Sequence, residues 1–520
     1  MIIDVNEIES GKSIQCDLCI IGAGAAGITL AREFDDSGLN VWLLESGGFD
    51  FEQDTQDLYK GTSTGRNYYP LDRTRLRYLG GTTNHWTGVC RPLDEIDFEK
   101  RDWIKHSGWP FDKKHLLPWY KKAQIVCQLD DFIYDVSHWL PQDQQPSPFI
   151  KGNIKAIASQ HSPPTRFGKV YRQQIQASCN ITCCLHANVT HLQVNKTASR
   201  LQRLRIETLD GILINIQPQF TVLAGGSIEN VRLLLASNDI EPMGLGNSHD
   251  LVGRFFMEHL VLTGGGALLT TKGRLPSYWY HPQYRSRRRS PTPTLLLDNE
   301  LQSREETGNY SAILHSPKRN RAVRSMRYLE TSMRKGREID DLWEHLGNII
   351  VDIDDVASNL YYRSTDNSKE PIEPVLYQQW EQVPNPDSRI VLSSERDRLG
   401  LPRVTLDWRL SEIDRHTLVA GQQAMAREVG QLGIGRLRID TEATEAMPDA
   451  VHGGYHQLGM TRMHEFPDRG VVNADCRLHS IDNLYIAGGS VFPTAGSSNP
   501  TLTVVALALR LADHLKEKLQ

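Results

Sequence analysis

Three glycines near the start of the chain have the spacing of a phosphate-binding turn. Gly22, Gly24 and Gly27 form a GxGxxG motif directly after the apolar run 17–21. In such a motif the first glycine makes a tight turn, the second lets the backbone approach a pyrophosphate, and the third permits close packing of a helix on a strand. A helix that begins here also points its free amides at the anion. The motif therefore predicts a dinucleotide-binding site.

The residues that follow the turn support this prediction. Ala25 and Ala26 open a predicted helix that ends near Gly38, and a second apolar strand then ends in Glu45. A carboxylate at that position suits a ribose 2′-hydroxyl and repels a 2′-phosphate. Strand, helix and acid together indicate a βαβ unit that binds a dinucleotide. They leave open whether that dinucleotide is FAD or NAD.

A second glycine-rich segment, GGTTNHWTG over 80–88, fits neither a core strand nor an amphipathic helix. Gly80 and Gly81 lack a Cβ, so the backbone there can come close to another group. His85 follows within the same segment. The sequence thus places an ionisable side chain beside a predicted close approach of backbone to a ligand.

Composition narrows the class of protein. The length of 520 residues favours two domains, and 39% apolar with 23% charged residues is typical of a globular protein. The formal net charge of -5 gives no electrostatic case for binding nucleic acid. Basic residues cluster at 284–290 and 318–327. This cluster is either a solvated face or a surface for a membrane or an acidic partner.

Nothing in the sequence predicts export or a membrane span. No apolar run reaches the roughly 18 residues of a transmembrane helix, and residues 1–15 lack a signal-peptide pattern. The eight cysteines show no disulfide framework, so the expected location is the cytoplasm. Cys16 and Cys19 have CxxC spacing but lie in or beside an apolar strand. Buried strand cysteines are favoured over a metal or redox pair, and no metal site is predicted.

Strand signals recur at widely separated places. Residues 204–226 predict two strands joined by a turn at Asp210–Gly211, and 223–237 repeats the pattern of strand, glycines and helix. Short strands and charged helices alternate over 256–440, with a hairpin turn at Gly400, which indicates an antiparallel sheet. The end of the chain returns to the strand-and-helix style of its start. One sheet is therefore expected to be assembled from separated segments.

Four blocks of the sequence carry one resemblance. They are GxGxxG at 22–27, GGTTNHWTG at 80–88, YHQLGMTRM at 455–463 and NLYIAGGSVFPTAGSSNPTLT at 483–503. Together they resemble the glucose-methanol-choline (GMC) family of flavin oxidoreductases. Further counterparts make the resemblance nearly complete along the chain, and they lie at 223–237, 252–260 and 381–393. The resemblance implies FAD rather than NAD as cofactor, and oxidation of an alcohol by hydride transfer to the flavin N5 atom.

The resemblance implies an α/β fold with two parts. A Rossmann-like FAD-binding domain is expected to be assembled from 1–110, 160–265 and 450–520. An α+β substrate domain with an antiparallel sheet is expected from 111–159 and 266–449. The substrate side carries no motif that names a substrate.

A catalytic pair is also implied by the resemblance. His456 matches the catalytic histidine of the family, and Asn499 matches a position that holds a second histidine or an asparagine. An alcohol carbon gives up hydride more readily as its O–H proton leaves, which calls for a base that titrates near neutrality. An unperturbed histidine has a pKa of about 6.5. Asn499 can donate a hydrogen bond to the developing alkoxide without competing for the proton.

For His85 the resemblance leaves two possibilities. In the family the double-glycine segment passes against the flavin ring, and in some members a histidine at this offset is covalently joined to that ring. Such a bond would raise the reduction potential of the flavin. In other members a nearby histidine only packs beside it, so His85 is expected at the flavin either attached or unattached.

Other contacts with FAD are implied by position in the motifs. The glycine pair at 488–489 permits a close approach, a helix that starts after Pro500 points its N-terminus at the flavin, and Val189 belongs to a strand that meets the adenine. The implied cofactor-binding residues outside the first motif are Gly80, Gly81, Thr83, Asn84, His85, Val189, Gly225, Gly488, Gly489, Asn499, Pro500 and Thr501. His259 is expected to give structural support near the flavin edge. His452 is the second candidate for the base.

The implied function is FAD-dependent oxidation of a hydroxyl group in a sugar, glycoside or related polyol to a carbonyl. The pairing of histidine with asparagine is similar to the sugar-oxidising branch of the family. The alternatives are a tailoring oxidation in natural-product biosynthesis, for example of an aminoglycoside, a non-redox lyase that holds a flavin, and a binding module. The electron acceptor is left open between oxygen and a quinone-type compound.

Overall fold

The protein is represented by a computed structural model. It describes residues 1–142, 147–150, 152–271, 273–280, 291–315, 321–334, 342–351, 371–440 and 446–520. Of the basic cluster predicted from the sequence, 284–290 and 318–320 lie outside these described residues. No helix within the described part of the chain is long and apolar enough to cross a lipid bilayer.

The described strands are numbered in chain order. They are β1 (Ile2–Asp4), β2 (Ser13–Ile21), β3 (Val41–Leu44), β4 (Thr62–Gly65), β5 (Val89–Cys90), β6 (Ile154–His161), β7 (Ile181–Leu185), β8 (Asn188–Val194), β9 (Leu201–Glu207), β10 (Leu213–Leu223), β11 (His259–Thr271), β12 (Thr292–Leu297), β13 (Tyr310–His315), β14 (Pro371–Ile372), β15 (Val375–Glu381), β16 (Arg389–Arg396), β17 (Pro402–Trp408), β18 (Gly435–Ile439), β19 (His452–Gly453) and β20 (Leu484–Ile486).

The described α-helices are numbered in the same way. They are α1 (Ala25–Arg32), α2 (Gln53–Gln56), α3 (Glu95–Phe98), α4 (Lys113–Val126), α5 (Phe167–Val170), α6 (Arg172–Ala177), α7 (Ser227–Ala236), α8 (Asn299–Arg304), α9 (Arg321–Arg334), α10 (Leu342–Val351), α11 (Glu412–Gln431) and α12 (Thr501–Leu519). Short 3-10 turns connect several of them, including one over Gly81–Asn84.

The first sheet is largely parallel and joins distant parts of the chain. Its strand order is β1-β7-β3-β2-β10-β9-β8, and β20 also pairs with β10. The pairings from β1 across to β10, and that of β10 with β20, are parallel. The hairpin of β9 and β10 is antiparallel. Apolar runs such as β2 suit this sheet because its strands are covered on both faces, and Cys16 and Cys19 of β2 are buried there as free thiols.

The second sheet is antiparallel and has nine described strands. Its order is β14-β11-β15-β13-β12-β6-β5, and β18 and β19 also pair with β11. The pairing of β19 with β11 sets Gly453 opposite Leu260 and His452 opposite Val261. Because β11 begins at His259, this register brings the chain that leads to His456 against the start of the longest strand of the sheet.

Two local predictions differ from the structure. Helix α1 ends at Arg32 rather than near Gly38, because the amides of Glu33 and Phe34 turn back to carbonyls three residues earlier and tighten the chain. The hairpin predicted around Gly400 is present as β16 and β17. It lies outside the nine-stranded sheet and instead pairs with β4 in a separate sheet of three described strands.

The close packing of α1 on the turn before it can be tested by substituting Gly27. A Cβ on Gly27 would lie 1.9 Å from the carbonyl oxygen of Gly22, and backbone cannot move aside as a flexible side chain can. We expect Gly27→Ala to lower the free energy of unfolding by about 1–3 kcal/mol or more. Thermal unfolding followed by circular dichroism measures this change.

The matched control is Gly430→Ala in α11, where a Cβ would meet no atom within 4 Å. Alanine is favoured over glycine inside a helix, so this variant is expected to be neutral or more stable by up to about 1 kcal/mol. Equal melting temperatures for the two variants would contradict the packing argument.

Candidate active site

A cavity of about 640 Å³ lies where the first sheet meets the C-terminal segment of the chain. The carboxyl ends of parallel strands supply much of its wall, through Gly22 after β2, Glu45 after β3, Ala224 after β10 and Ala487 after β20. Ligands of open α/β sheets bind outside the carboxyl ends of the strands. The topology therefore positions this cavity as a cofactor site.

The structure brings most of the sequence-predicted site residues to this one cavity. The predicted residues that line it are Gly22, Gly24, Ala25, Ala26, Glu45, Gly81, Thr83, His85, Val189, Gly225, His456, Gly488, Gly489, Asn499, Pro500 and Thr501. Three others, Gly27, Gly80 and Asn84, are described but stand behind the wall. Their contacts, given below, are with the protein itself.

The glycine turn has the three-part geometry that the motif predicts. Gly22 has a φ of +106°, and a Cβ there would lie 2.5 Å from the carbonyl oxygen of Ala224. Gly24 is the N-cap of α1, and a Cβ on it would meet nothing within 4 Å, so the cavity is open in front of it. Gly27 packs on the turn. The N-terminus of α1 thus faces the cavity with free amides, which suits a pyrophosphate.

Glu45 is buried beside this turn and holds two backbone amides. Its carboxylate accepts hydrogen bonds from Ala23 N at 2.9 Å and Gly47 N at 3.1 Å. Burial raises the pKa of Glu45, while the Gly47 and Ala23 amides act in the opposite direction. A carboxylate oxygen can accept more than one hydrogen bond. Glu45 therefore keeps capacity for a ribose hydroxyl on the cavity side.

The double glycine packs directly against the glycine turn. A Cβ on Gly81 would lie 3.3 Å from Gly24 Cα, and one on Gly80, which has a φ of +95°, would lie 2.7 Å from Gly168 N. Asn84 Nδ2 donates to the carbonyls of Leu79 and Gly81, at 3.0 Å each. The Asn84 amide group thus closes the 3-10 turn, and the turn presents Gly81 to the cavity.

His85 follows this turn on the cavity wall. Its ring nitrogens have no hydrogen-bond partner among the described residues. Burial lowers the pKa of His85, and the charge of Arg166 lowers it further. The Arg166 guanidinium is fixed by the carbonyls of Thr83 and Trp86, at 2.7 and 3.0 Å. A neutral imidazole with both nitrogens unengaged therefore faces the site.

The two residues of the predicted catalytic pair lie in contact. Asn499 Nδ2 is 3.4 Å from His456 Nε2. Behind them, the carbonyl of Asn499 accepts from Gln379 Nε2 at 3.4 Å, and Gln379 also donates to Ser497 O at 2.9 Å. Gln379 thereby fixes the orientation of the Asn499 amide, with its NH2 group toward the histidine.

His259 does more than the support expected of it, because it determines which nitrogen of His456 carries the proton. The Ala495 carbonyl can only accept, so His259 donates to it from Nε2 at 3.1 Å. Neutral His259 must then accept at Nδ1, and His456 donates its own Nδ1–H across 2.8 Å. The lone pair of His456 is consequently on Nε2, the nitrogen that faces Asn499.

Both histidines are held in the neutral form. Burial lowers the pKa of His259 to about 4. Burial, followed by the charge of His259, lowers the pKa of His456 well below its ordinary value. An unperturbed histidine would be partly protonated at neutral pH, since its pKa is about 6.5. His456 is instead available as a proton acceptor throughout the neutral range.

A buried carboxylate holds the loop that carries His456. Glu258 accepts hydrogen bonds from the amides of Gly454 at 3.2 Å and His456 at 2.7 Å, and from the hydroxyl of Tyr68. Burial raises the pKa of Glu258 to about 7. The nearby His452 binds the hydroxyl of Tyr69 through Nδ1 at 2.8 Å and is not part of the cavity wall.

Sequence reasoning missed a cluster of charged residues along the same cavity. Arg75 and Arg77 both pair with Glu229, at 2.8 and 3.2 Å, and both guanidinium groups stack on the ring of Tyr59. Arg232 joins Glu229 to Asp397. The alternating arginines in RTRLRYLGG, just before the double glycine, are the signal that points to this cluster.

The fold and the site together suit one class of protein: an enzyme that binds a dinucleotide beside a neutral, buried histidine. The volume lies within the range of ligand cavities, and a helix N-terminus, approachable glycines and a buried acid suit a dinucleotide. Residues 384–508 match the family model described as GMC oxidoreductase.

Similar proteins agree with this class. The chain is 25% identical to 6'''-hydroxyparomomycin C oxidase of Streptomyces lividus, covering 96% of this chain and 92% of that protein. It is 21% identical to the fructose dehydrogenase large subunit of Gluconobacter japonicus, over 98% and 99% of the two chains. The crystal structure of pyridoxine 4-oxidase from Mesorbium loti has the same fold, with a TM-score of 0.56, 17% identity and coverage of 96% and 99%.

The match over 384–508 and the relatives along nearly the whole chain support a relation to the GMC oxidoreductases, with FAD as the expected cofactor. It is an enzyme of the oxidase or dehydrogenase type. These similarities support the family, enzyme class and cofactor that were expected from the sequence.

The contact of Glu258 with the loop that carries His456 can be tested by substituting Glu258. We expect Glu258→Ala to slow reduction of the bound flavin by about 100-fold, because loss of both amide contacts lets His456 move and a displacement near 1 Å has an effect of that size. Stopped-flow absorbance under anaerobic conditions, at equal FAD content, measures the rate.

Glu258→Gln is the matched variant. Its amide oxygen still accepts from the loop, and Tyr68 can accept from its NH2 group, so most of the rate should return. A native rate in Glu258→Ala would show that the loop holds its position without this carboxylate.

Proposed function

We propose that the protein oxidises a hydroxyl group of a sugar, glycoside or related polyol to a carbonyl, with His456 as the base. The observation that carries this proposal is the contact of His456 Nε2 with Asn499 Nδ2 on the wall of the FAD cavity. The lone pair of His456 Nε2 and the N–H donor of Asn499 therefore lie next to each other. A hydroxyl group needs both, since its proton must leave and its oxygen gains charge.

Each of these residues would have its own role in the proposed reaction. His456 Nε2 takes the hydroxyl proton, and the Nδ1 contact with His259 keeps the ring in the accepting tautomer. Asn499 Nδ2 donates to the substrate oxygen as it becomes an alkoxide. When bound, FAD supplies the hydride acceptor for the hydroxyl-bearing carbon.

The residues that would hold FAD follow from the cavity. The N-terminus of α1 would bind the pyrophosphate and Glu45 the ribose, while Val189, on the same cavity wall, would meet the adenine. The remaining contacts come from the predicted set on the wall, namely Gly22, Gly24, Ala25, Ala26, Gly81, Thr83, Gly225, Gly488, Gly489, Pro500 and Thr501. Gly27, Gly80 and Asn84 support the turns behind this wall.

In this proposal the first sheet is the core of a Rossmann-like FAD-binding domain formed by 1–110, 160–265 and 450–520. The antiparallel second sheet belongs to a substrate domain formed by 111–159 and 266–449. The parallel pairings of the first sheet and the position of the cavity at their carboxyl ends support this division. The names of the relatives, an oxidase and a dehydrogenase, support redox chemistry over a lyase or a binding module.

Anaerobic titration of the yellow holoenzyme tests the function directly. A panel of pyranosides, polyols and simple alcohols is added, and at least one sugar or polyol is expected to bleach the flavin absorbance. If no compound with a hydroxyl group reduces the flavin, the proposed reaction is wrong.

His456→Ala is the sharper test of the mechanism. Removal of the base is expected to slow flavin reduction by about 10²–10⁴-fold with FAD still bound, and Asn499→Ala by about 10²-fold. Because the pKa of His456 is lowered, the native rate should hold at neutral pH and fall only as the pH drops well below about 6.5. A native rate and pH profile in His456→Ala would place the base elsewhere.

We further propose that His85 lies at the flavin, either covalently attached to it or packed beside its ring. Its neutral ring lies on the cavity wall with both nitrogens unengaged by the described residues, which leaves one free for attachment. Acid precipitation distinguishes the two: yellow colour that stays in the pellet of the native protein and leaves it in His85→Ala would show attachment. Free FAD in the native supernatant would mean that His85 only packs against the ring.

A further inference from the structure

An aromatic side chain directly precedes the base and lines the same cavity. Tyr455 is 49% exposed, whereas its chain neighbours Gly454 and His456 are half-buried. One face of its ring stacks on Tyr69, with ring centroids 4.4 Å apart and planes 28° from parallel. The Tyr455–Tyr69 pair thus forms a flat platform beside His456.

The backbone at this position adopts a conformation that tyrosine rarely takes. Tyr455 has a φ of +62°, in the left-handed region. Glu258 holds the amides on both sides of it, those of Gly454 and His456. Such outliers persist where surrounding contacts fix them, and they cluster at functional sites. The protein therefore holds this ring in place at the expense of a relaxed backbone.

The second ring of the platform is also held firmly. The Tyr69 hydroxyl binds His452 Nδ1 at 2.8 Å and the carbonyl of Gly453 at 3.3 Å. Arg66, three residues earlier, donates to the carbonyls of Pro448 and Val451. The loop with Tyr69 is thus tied to the loop with Tyr455, so the platform exists before a ligand arrives.

We propose that the Tyr455–Tyr69 pair is a binding platform for the C–H face of a neutral pyranose ring, and that it selects ring-form sugars over acyclic polyols. This inference rests on the proposed function, because it names the substrate class of the same site. A pyranose has an apolar face of C–H bonds and a rim of hydroxyls. The face of an aromatic ring carries partial negative charge and suits polarised C–H bonds.

A rigid platform favours a rigid ligand. A pyranose presents its C–H face without further ordering, whereas an acyclic alditol of the same hydroxyl content must freeze several rotatable bonds to do so. Tyrosine itself loses little conformational freedom on binding. The platform therefore discriminates between two compounds that offer His456 the same hydroxyl chemistry.

The charges of the cavity favour a neutral sugar over one with several ammonium groups. The carboxylates of the described lining are Glu45, Glu229 and Asp397. In the holoenzyme two backbone amides and the proposed ribose contact occupy Glu45, and arginines pair with the other two. No carboxylate of the described lining is left to receive an ammonium group, so a polyamine sugar gains no electrostatic attraction here.

The test compares ring and chain ligands on holoenzyme. Binding of methyl β-D-glucopyranoside, methyl β-D-galactopyranoside, D-glucosamine and D-sorbitol is measured by saturation-transfer NMR, and flavin reduction by stopped flow. At least one neutral pyranoside is expected to bind about tenfold or more tightly than D-sorbitol, and more tightly than D-glucosamine.

Tyr455→Asn is the decisive variant, because asparagine tolerates the left-handed backbone and removes only the ring. It should raise the KM for the pyranoside by about tenfold or more and leave that for D-sorbitol unchanged. Tyr455→Phe keeps the ring and should restore native values. Phe466→Ala is the matched control, since Phe466 is also 49% exposed but lies outside the cavity wall.

Two results would overturn the platform: pyranoside affinity in Tyr455→Asn equal to native, or D-sorbitol binding as tightly as every pyranoside in the native enzyme. These outcomes are separate from failure of the proposed function. If pyranosides bind through Tyr455 but no hydroxyl compound bleaches the flavin, the reaction is wrong and the platform stands. If simple alcohols bleach it and no pyranoside binds, the platform is wrong and the reaction stands.

Discussion

The carboxylate of Glu258 receives the two amides that flank Tyr455, and most of the reacting apparatus depends on that contact. A buried carboxylate needs hydrogen-bond donors, because an unsatisfied carboxylate is costly in an apolar interior. Glu258 directly precedes β11, so its position is fixed by the antiparallel sheet. The sheet thereby determines where His456, the proposed base, lies.

A chain of hydrogen bonds that all point in one direction passes through His259, the first residue of β11, and ends at the cavity. It begins at the Ala495 carbonyl, which can only accept, and passes through His259 to His456. Because each neutral ring donates from one nitrogen and accepts at the other, each contact fixes the next. The last nitrogen, His456 Nε2, must therefore be an acceptor. Gln379 orients Asn499 by the same logic from the opposite side. The acceptor on His456 and the donor on Asn499 are thus set by backbone carbonyls and neighbouring side chains that take no part in the reaction.

The sequence predicted what depends on local spacing and missed what depends on distant contact. Gly22, Gly24 and Glu45 were predictable because turn, helix and acid act within one βαβ unit. The proposed catalytic pair, His456 and Asn499, was predicted only through the resemblance of its motifs to the family. Glu258 was not found, because its partners Tyr68 and His456 stand 190 and 198 positions away in the chain. No local pattern marks an ordinary glutamate as the residue that meets both.

The position of β20 in the first sheet has a consequence for how the enzyme is made. This strand comes from 484–486, long after β10 in chain order, and it occupies the edge of β10 next to the cavity. Until it emerges, that edge of β10 is unpaired and the glycines that follow β20 are missing from the wall. A nascent chain therefore has no complete cradle for the proposed FAD until β20 and the glycines after it have been synthesised, so insertion of the cofactor follows the synthesis of that segment.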